Sequence, residues 1–95
     1  MKLPKLTRED LIEVSWVDIC EDSVGSPDKA TLARRVSVGY FFESRKDGKI
    51  QVLITSGTQD QDDHEQRGYC IYPLSVVTSV KKIRKARKAT HAKRP

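Results

Sequence analysis

The strongest constraint on the fold comes from two alternating segments that flank a glycine-containing turn. From Arg35 to Ser44, apolar side chains occupy every second position: Val36, Val38, Tyr40 and Phe42. A second alternating segment, 50–55, follows Asp47 and Gly48, two residue types that tolerate positive φ. Because the side chains of a β-strand point to alternate faces, a period of two favours strands over helices. The two segments therefore predict an antiparallel hairpin.

The rest of the chain predicts three further strands separated by polar loops. In chain order the segments are a β-branched strand at 11–20, a turn-rich loop at 21–35, an acidic loop at 56–68, a strand at 69–72, a tight turn at 74–76 and a strand at 77–83. The apolar alternation of the first strand changes phase near Trp16, which predicts a β-bulge at that point or burial on both faces.

A chain of 95 residues forms one core. The order of elements predicts an all-β protein: a small five-stranded SH3-like antiparallel barrel at 11–83, with a lead-in at 1–10 and a flexible basic C-terminal tail at 84–95. The alternative is an open, curled antiparallel sheet that residues 1–10 cover as a short helix. Thr7 and Asp10 stand in the positions of a capping box, which would begin such a helix.

Short motifs in the predicted strands resemble a diffuse group of small proteins from tailed phages. They are a V-x-W-x-D motif at 14–18, a V-x-V-G-Y-F motif at 36–41, and an isoleucine and proline at 71–73 followed by valines at 77 and 80. Tyr72 separates the isoleucine from the proline, which departs from the group. The resemblance covers roughly residues 12–83 and implies a phage accessory protein in the cytoplasm of a bacterial host. It implies no mechanism.

Basic residues are concentrated at the C-terminus. Residues 81–95 contain eight basic and no acidic residues, whereas residues 1–80 carry a net charge of −3 from 10 basic and 13 acidic residues. A basic segment attached to a slightly acidic body favours a polyanionic partner. The predicted polyanion-binding residues are Lys81, Lys82, Arg84, Lys85, Arg87, Lys88, Lys93 and Arg94. No aromatic residue lies among them, so base stacking is not expected in the tail.

The aromatic residues predict a core and a second binding surface. Trp16, Tyr40 and Phe42 fit the inward faces of the strands, and loss of the Trp16 side chain should cost about 3–5 kcal/mol of stability. Neighbours in a strand face opposite sides, so Phe41 and one of the two tyrosines of the fourth strand should face outward. Phe41 and Tyr72 are the predicted partner-binding residues; the alternative is that these rings pack beneath loops.

The remaining polar residues favour a protein that is not an enzyme. His64 lies in the acidic loop segment 60–65 without a nucleophile or second histidine placed beside it. The same segment lacks the glycine and the ligand spacing of an EF-hand, so it is interpreted as a solvated loop, although it could dock the basic tail. Asp18 is predicted to cap the long loop that follows it. We therefore predict no catalytic residue, no metal ion and no cofactor.

The cysteines and the apolar pattern indicate the compartment. Cys20 and Cys70 show neither CxxC nor metal-ligand spacing, and are predicted to be free, buried thiols in a reducing cytoplasm. The N-terminus does not resemble a signal peptide, and no apolar run is long enough to span a membrane.

Two functional hypotheses follow. The first is an accessory protein that binds and modulates a host macromolecule, such as a nucleic-acid enzyme or a defence complex, with the tail providing electrostatic attraction. The net −3 of residues 1–80 favours it, because an acidic body would repel phosphates. The alternative is direct, non-specific binding of DNA or RNA, and a weaker one is a barrel that sequesters a nucleotide signal.

Overall fold

The computed structural model describes residues 2–19, 25–57 and 68–86. They form one antiparallel sheet of five strands in the order β4-β3-β2-β1-β5, which confirms the prediction of an all-β protein. The strands are β1 (Leu11–Asp18), β2 (Ala33–Asp47), β3 (Ile50–Ser56), β4 (Tyr69–Pro73) and β5 (Val77–Arg84), and single 3₁₀ turns occupy Pro27–Lys29 and Leu74–Val76. No helix in this described part of the chain has the length and hydropathy to cross a bilayer.

The hairpin of β2 and β3 turns one residue later than the sequence predicts. Asp47 pairs with Ile50, so the two central residues of the turn are Gly48 and Lys49. Gly48 has a φ of 64°. Positive φ at the first central position alone is the pattern of a type II′ turn, whose twist matches that of the strands.

Three irregularities bend the sheet, and one of them is a register shift between Leu11 and Ile12 at the start of β1. The pairing of β1 with β5 shifts register between Ser15 and Trp16, which confirms the bulge predicted there. The pairing of β2 with β3 shifts between Phe41 and Glu43, leaving Phe42 as the extra residue. A bulge increases local twist and bends its strand, so these shifts help the sheet to curl.

The core lies on the concave face of the curled sheet. Its buried cluster consists of Ile12, Val14, Leu53, Tyr72 and Val77, with Leu3, Leu6, Trp16, Phe41, Leu74 and Val80 packed around it. The rings of Trp16 in β1 and Tyr72 in β4 meet edge to face with centroids 5.8 Å apart, although two strands separate β1 from β4 in the sheet. The sheet therefore curls over its own core. No ladder joins β4 to β5 in the described residues, so the sheet is open at that point.

The lead-in packs against the sheet without forming a helix. Leu3 and Leu6 contact the core, and Thr7–Asp10 is a turn closed by the Asp10 amide, which donates to the Thr7 carbonyl at 2.9 Å. Glu9 has a φ of 79°, which a continuing helix does not allow. The helical cover considered from the sequence is therefore wrong. Backbone hydrogen bonds of 2.7 Å, from Glu9 to Phe41 and from Phe41 to Asp10, attach the turn to the bulge of β2.

Gly39 is required by close packing between β2 and β3. A Cβ at this position would lie 3.0 Å from both Cβ and Oγ1 of Thr55. We expect Gly39→Ala to lower the free energy of unfolding by about 1–3 kcal/mol, because the strands must separate to admit the methyl group. Chemical denaturation monitored by Trp16 fluorescence would measure the loss. Gly57→Ala is the control: its added Cβ would make ordinary contacts at 3.6 Å, and a loss equal to that of Gly39→Ala would contradict the packing argument.

Candidate functional site

The sheet and its attached termini are basic, which changes the interpretation of the overall charge. The described residues contain 13 basic and 7 acidic side chains, whereas the other six acidic residues lie in 20–24 and 58–67. The net charge of −3 calculated for residues 1–80 thus depends on carboxylates outside the described sheet. The sequence argument that the body repels phosphates does not apply to the sheet itself.

A basic cleft lies where the lead-in meets the end of β5. Its volume is about 390 Å³, and its lining is Lys5, Thr7, Asp10, Lys82, Lys85 and Ala86. The turn at 7–10 supplies one wall and the end of β5, with the two residues after it, supplies the other. Three ammonium groups against one carboxylate give the cleft a positive charge, and we refer to these six residues as the basic cleft.

Asp10 holds the two walls of the basic cleft together. Its side chain is about 2 % exposed. Its Oδ1 accepts from the Ala86 amide at 2.7 Å, and its Oδ2 accepts from the Thr7 amide at 2.8 Å. The Lys82 ammonium group lies 3.3 Å from the same Oδ2. Asp10 thereby fixes the root of the C-terminal segment against the N-terminal turn.

The pKa of Asp10 lies below its ordinary value of 3.8. Burial alone would raise this pKa, but the hydrogen bonds from Thr7, Ala86 and Lys82, with the charge of Lys82, together lower it. The carboxylate is therefore ionised at neutral pH and is occupied by internal partners. The Lys82 ammonium group and the two backbone amides offset the negative charge of Asp10. The carboxylate therefore repels an anion in the cleft less than an exposed, unpaired carboxylate would.

The predicted polyanion-binding residues fall into two groups. Lys81, Lys82 and Arg84 belong to β5 and Lys85 follows it, so these four are placed by the fold. Arg87, Lys88, Lys93 and Arg94 lie outside the described residues. Sequence reasoning missed Lys5 as a member of the basic cleft, because the contact between the lead-in and the end of β5 joins residues 76 positions apart.

The outward-facing aromatic residues differ from those predicted. Tyr72 is only 5 % exposed and Phe41 packs against the core, so exposure of the predicted partner-binding residues is wrong. Tyr69, at 73 % exposed, is the tyrosine of β4 that faces outward. Tyr40 and Phe42, predicted to face inward, lie outside the core cluster.

Polar side chains in the core explain why Tyr72 is buried. Burial raises the pKa of Tyr72, and the polar side chains of Ser37 and Thr55 beside it act in the opposite direction. The Trp16 indole Nε1 donates to Ser37 Oγ at 3.0 Å. The buried ring thus has polar side chains beside its hydroxyl, which lowers the penalty for burying a tyrosine.

The other predicted sites have mixed outcomes. Cys70 is exposed, so the prediction of a buried thiol is wrong for it. The Asp18 carboxylate accepts from the Ile19 amide at 2.8 Å and lies 3.8 Å from Arg35, which agrees with a capping role at the end of β1. Cys20 and the acidic segment 60–65 lie outside the described residues. Within 2–19, 25–57 and 68–86, no three potential ligands are grouped as a metal site requires.

No protein-family model and no curated protein matches the chain. The functional inference therefore depends on the positions of the basic and aromatic side chains.

Proposed function

We propose that the protein is a non-catalytic nucleic-acid-binding protein that holds phosphates in the basic cleft and along its C-terminal basic residues. The observation that carries the proposal is the group of three lysines, Lys5, Lys82 and Lys85, around a cleft at the root of a basic segment. Residues 87–95, which continue from that root, add four more cations and no acid. A phosphate backbone presents negative charges at regular spacing, so it can satisfy a cleft and a following row of cations together.

The fold supports this use of the site. The strand order places β5 beside β1, and a 3₁₀ turn precedes β5. Both features favour an SH3-like small barrel that is incompletely closed. The resemblance of the strand motifs to tailed-phage proteins leads us to place the activity in the cytoplasm of a bacterial host.

A second candidate is an accessory protein that docks on a host nucleic-acid enzyme or defence complex. One observation favours it: Val36 and Val38, on the face of β2 away from the core, are 64 % and 59 % exposed. Two neighbouring apolar side chains on a strand surface suit contact with another protein. In this case the basic cleft would contact the polyanion that the partner already holds.

The salt dependence of binding tests the first proposal. Affinity for a labelled oligonucleotide would be measured by fluorescence anisotropy over a range of salt concentrations. Substitution of Lys5 and Lys85 by glutamine should reduce the slope of log affinity against log salt by about 0.7 per lost contact on a single strand and about 0.9 on duplex DNA. Replacement of all four basic residues of 87–95 by glutamine should reduce the slope of log affinity against log salt by about 3 to 4 on duplex DNA.

Lys29→Gln combined with Lys49→Gln is the matched control. Both lysines are exposed, and they lie beyond opposite ends of β2. The basic cleft lies near the middle of β2, where Leu11 pairs with Tyr40, so each lysine is several residues of strand away from it. About six residues of strand separate Lys49 from Ser56, a distance of roughly 20 Å. An equal change of slope in the control and cleft variants would exclude a localised site. Capture of one protein from nuclease-treated lysate, without affinity for any oligonucleotide, would favour the second candidate.

A further inference from the structure

One row of paired residues crosses the outer face of the sheet, the face away from the core. From β5 to β4 its members are Arg84, Leu11, Tyr40, Ser56 and Tyr69. Residues directly opposite each other on paired strands share a face. The Arg84 Nη2 lies 3.4 Å from the Tyr40 hydroxyl, which agrees with that placement. The row presents two phenol rings on the outer face, of which that of Tyr69 is largely exposed.

An open cleft lies beside this row, between β2, β3 and β4. Its volume is about 470 Å³, and Phe42, Ile54 and Ile71 form its apolar wall, with Tyr69 and Arg45 also lining it. Ile71 is 43 % exposed in addition to the exposed Tyr69 ring. A cleft of this size, with apolar walls and a few polar groups, is typical of sites that accept small ligands.

Two arginines are held in place at the same cleft. The Arg8 guanidinium carbon lies 4.2 Å from the centre of the Phe42 ring, and its Nε donates to the Phe42 carbonyl at 2.8 Å. Glu43 accepts from Arg8 at 3.1 Å and also from Arg45. The shared carboxylate orders both guanidinium groups beside the aromatic ring. Aromatic rings and guanidinium planes are the groups on which unpaired bases stack, and the same cations attract phosphates.

The outer-face cleft and the basic cleft are neighbours. Arg8 follows Thr7, which lines the basic cleft, and its side chain lies over Phe42, which lines the outer-face cleft. A strand whose phosphates occupy the basic cleft therefore has a charged path across Arg8 to the rings of the outer face.

We infer that the outer face between β2 and β4 stacks unpaired nucleobases, so that the protein prefers single-stranded nucleic acid to duplex. The inference rests on the proposed function and adds the substrate class. The bases of a duplex are stacked on one another and cannot reach Tyr69 or Phe42, whereas those of a single strand can. Basic residues alone would not distinguish the two as strongly, because both carry phosphates.

Tyr69→Ala tests the inference with little risk to folding, since that ring is largely exposed. We expect the variant to bind a single-stranded oligothymidylate about 5- to 150-fold more weakly than the wild type, the range for loss of one stacking contact. Its affinity for a duplex of equal length and the salt slope on either ligand should remain unchanged. Tyr69→Phe should retain the wild-type affinity, because the ring is kept. Leu32→Ala is the control for truncating an exposed apolar side chain: Leu32 is 57 % exposed and precedes β2 at the end away from Tyr69, so its loss should leave both affinities unchanged.

A second ligand tests the inference with the wild-type protein alone. An abasic oligonucleotide of the same length keeps the phosphates and lacks the bases, so the wild type should bind it more weakly than oligothymidylate. Equal affinity for both, or an equal loss on single strand and duplex in Tyr69→Ala, would overturn the inference. If the wild type binds single strand and duplex with equal affinity and a steep salt slope, the inference of base stacking fails and the proposed phosphate binding stands. If it binds no nucleic acid, the proposed function fails as well.

Discussion

Replacement of Trp16 by alanine is expected to lower the free energy of unfolding by about 3–4 kcal/mol. The indole is half-buried and packs against the core cluster. Its edge contact with Tyr72 joins β1 to β4, which are not neighbours in the sheet, and its hydrogen bond to Ser37 joins it to the adjacent β2. Removal leaves a cavity, loses an aromatic pair and deprives Ser37 of a donor, and these effects act in the same direction.

Urea denaturation followed by far-UV circular dichroism would measure the change, because Trp16 is the only tryptophan and the variant has no indole signal. Trp16→Phe is the control: it keeps a ring against Tyr72 and loses the Nε1 donor, so its loss should be less than half as large. A domain of this size has about 5–14 kcal/mol of stability in total. A loss below about 1 kcal/mol in Trp16→Ala would mean that the contact across the curled sheet contributes little.

Replacement of Asp10 by alanine is expected to cost about 3 kcal/mol. The amides of Thr7 and Ala86 lose a charged acceptor, and Lys82 loses its ion-pair partner. The Lys82 side chain is 33 % exposed, so water recovers part of its solvation and limits the loss. Asp10→Asn should cost roughly half as much, because its carbonyl can still accept one of the hydrogen bonds. Denaturation monitored by Trp16 fluorescence would measure both variants.

The stabilisation by Asp10 should depend on pH in a defined direction. Its pKa in the folded state is lower than the ordinary 3.8, so the carboxylate contributes its full stabilisation above that value. As the pH falls through the lower, folded-state pKa, the native carboxylate becomes protonated and the contribution is lost. The difference between wild type and Asp10→Asn should therefore be constant from neutral pH to about 5 and shrink below about 4. A difference that grows on acidification would show that Asp10 is not ionised in the folded state.

The strands could be predicted from local pattern, but the face that β2 turns toward the core could not. Val36, Val38 and Tyr40 form the more apolar series, yet both valines are exposed. The core face of β2 instead carries Ser37 and Gly39. Serine is needed there to accept from Trp16, and glycine is needed beneath Thr55. These requirements come from other strands, and such contacts override the preference of an isolated strand. Because Phe42 is the extra residue of the bulge in β2, its side chain lies outside the core.

The basic cleft also could not be predicted from local sequence pattern, because it joins residues from both ends of the chain. The sequence placed cations at the C-terminus, and the structure places four of them at or beside the end of β5. Lys5 and Asp10 complete the cleft from the other end of the chain. The capping-box pattern at Thr7 and Asp10 favoured the start of a helix; the Asp10 carboxylate does accept from the Thr7 amide at 2.8 Å, but in a turn and not in a helix. No local signal could show that the same carboxylate also binds Ala86.

The antiparallel pairing of β1 with β5 has a mechanical consequence. Leu11 lies beside Arg84, so the chain enters and leaves the sheet at the same end. Tension between the two termini would load these strands in an unzipping geometry, in which hydrogen-bonded pairs break one after another instead of all sharing the force. The Asp10–Ala86 hydrogen bond would bear the load first. A protein anchored at its N-terminus and pulled by a moving polymer at its C-terminus would thus yield at low force, and would begin to open at the basic cleft itself.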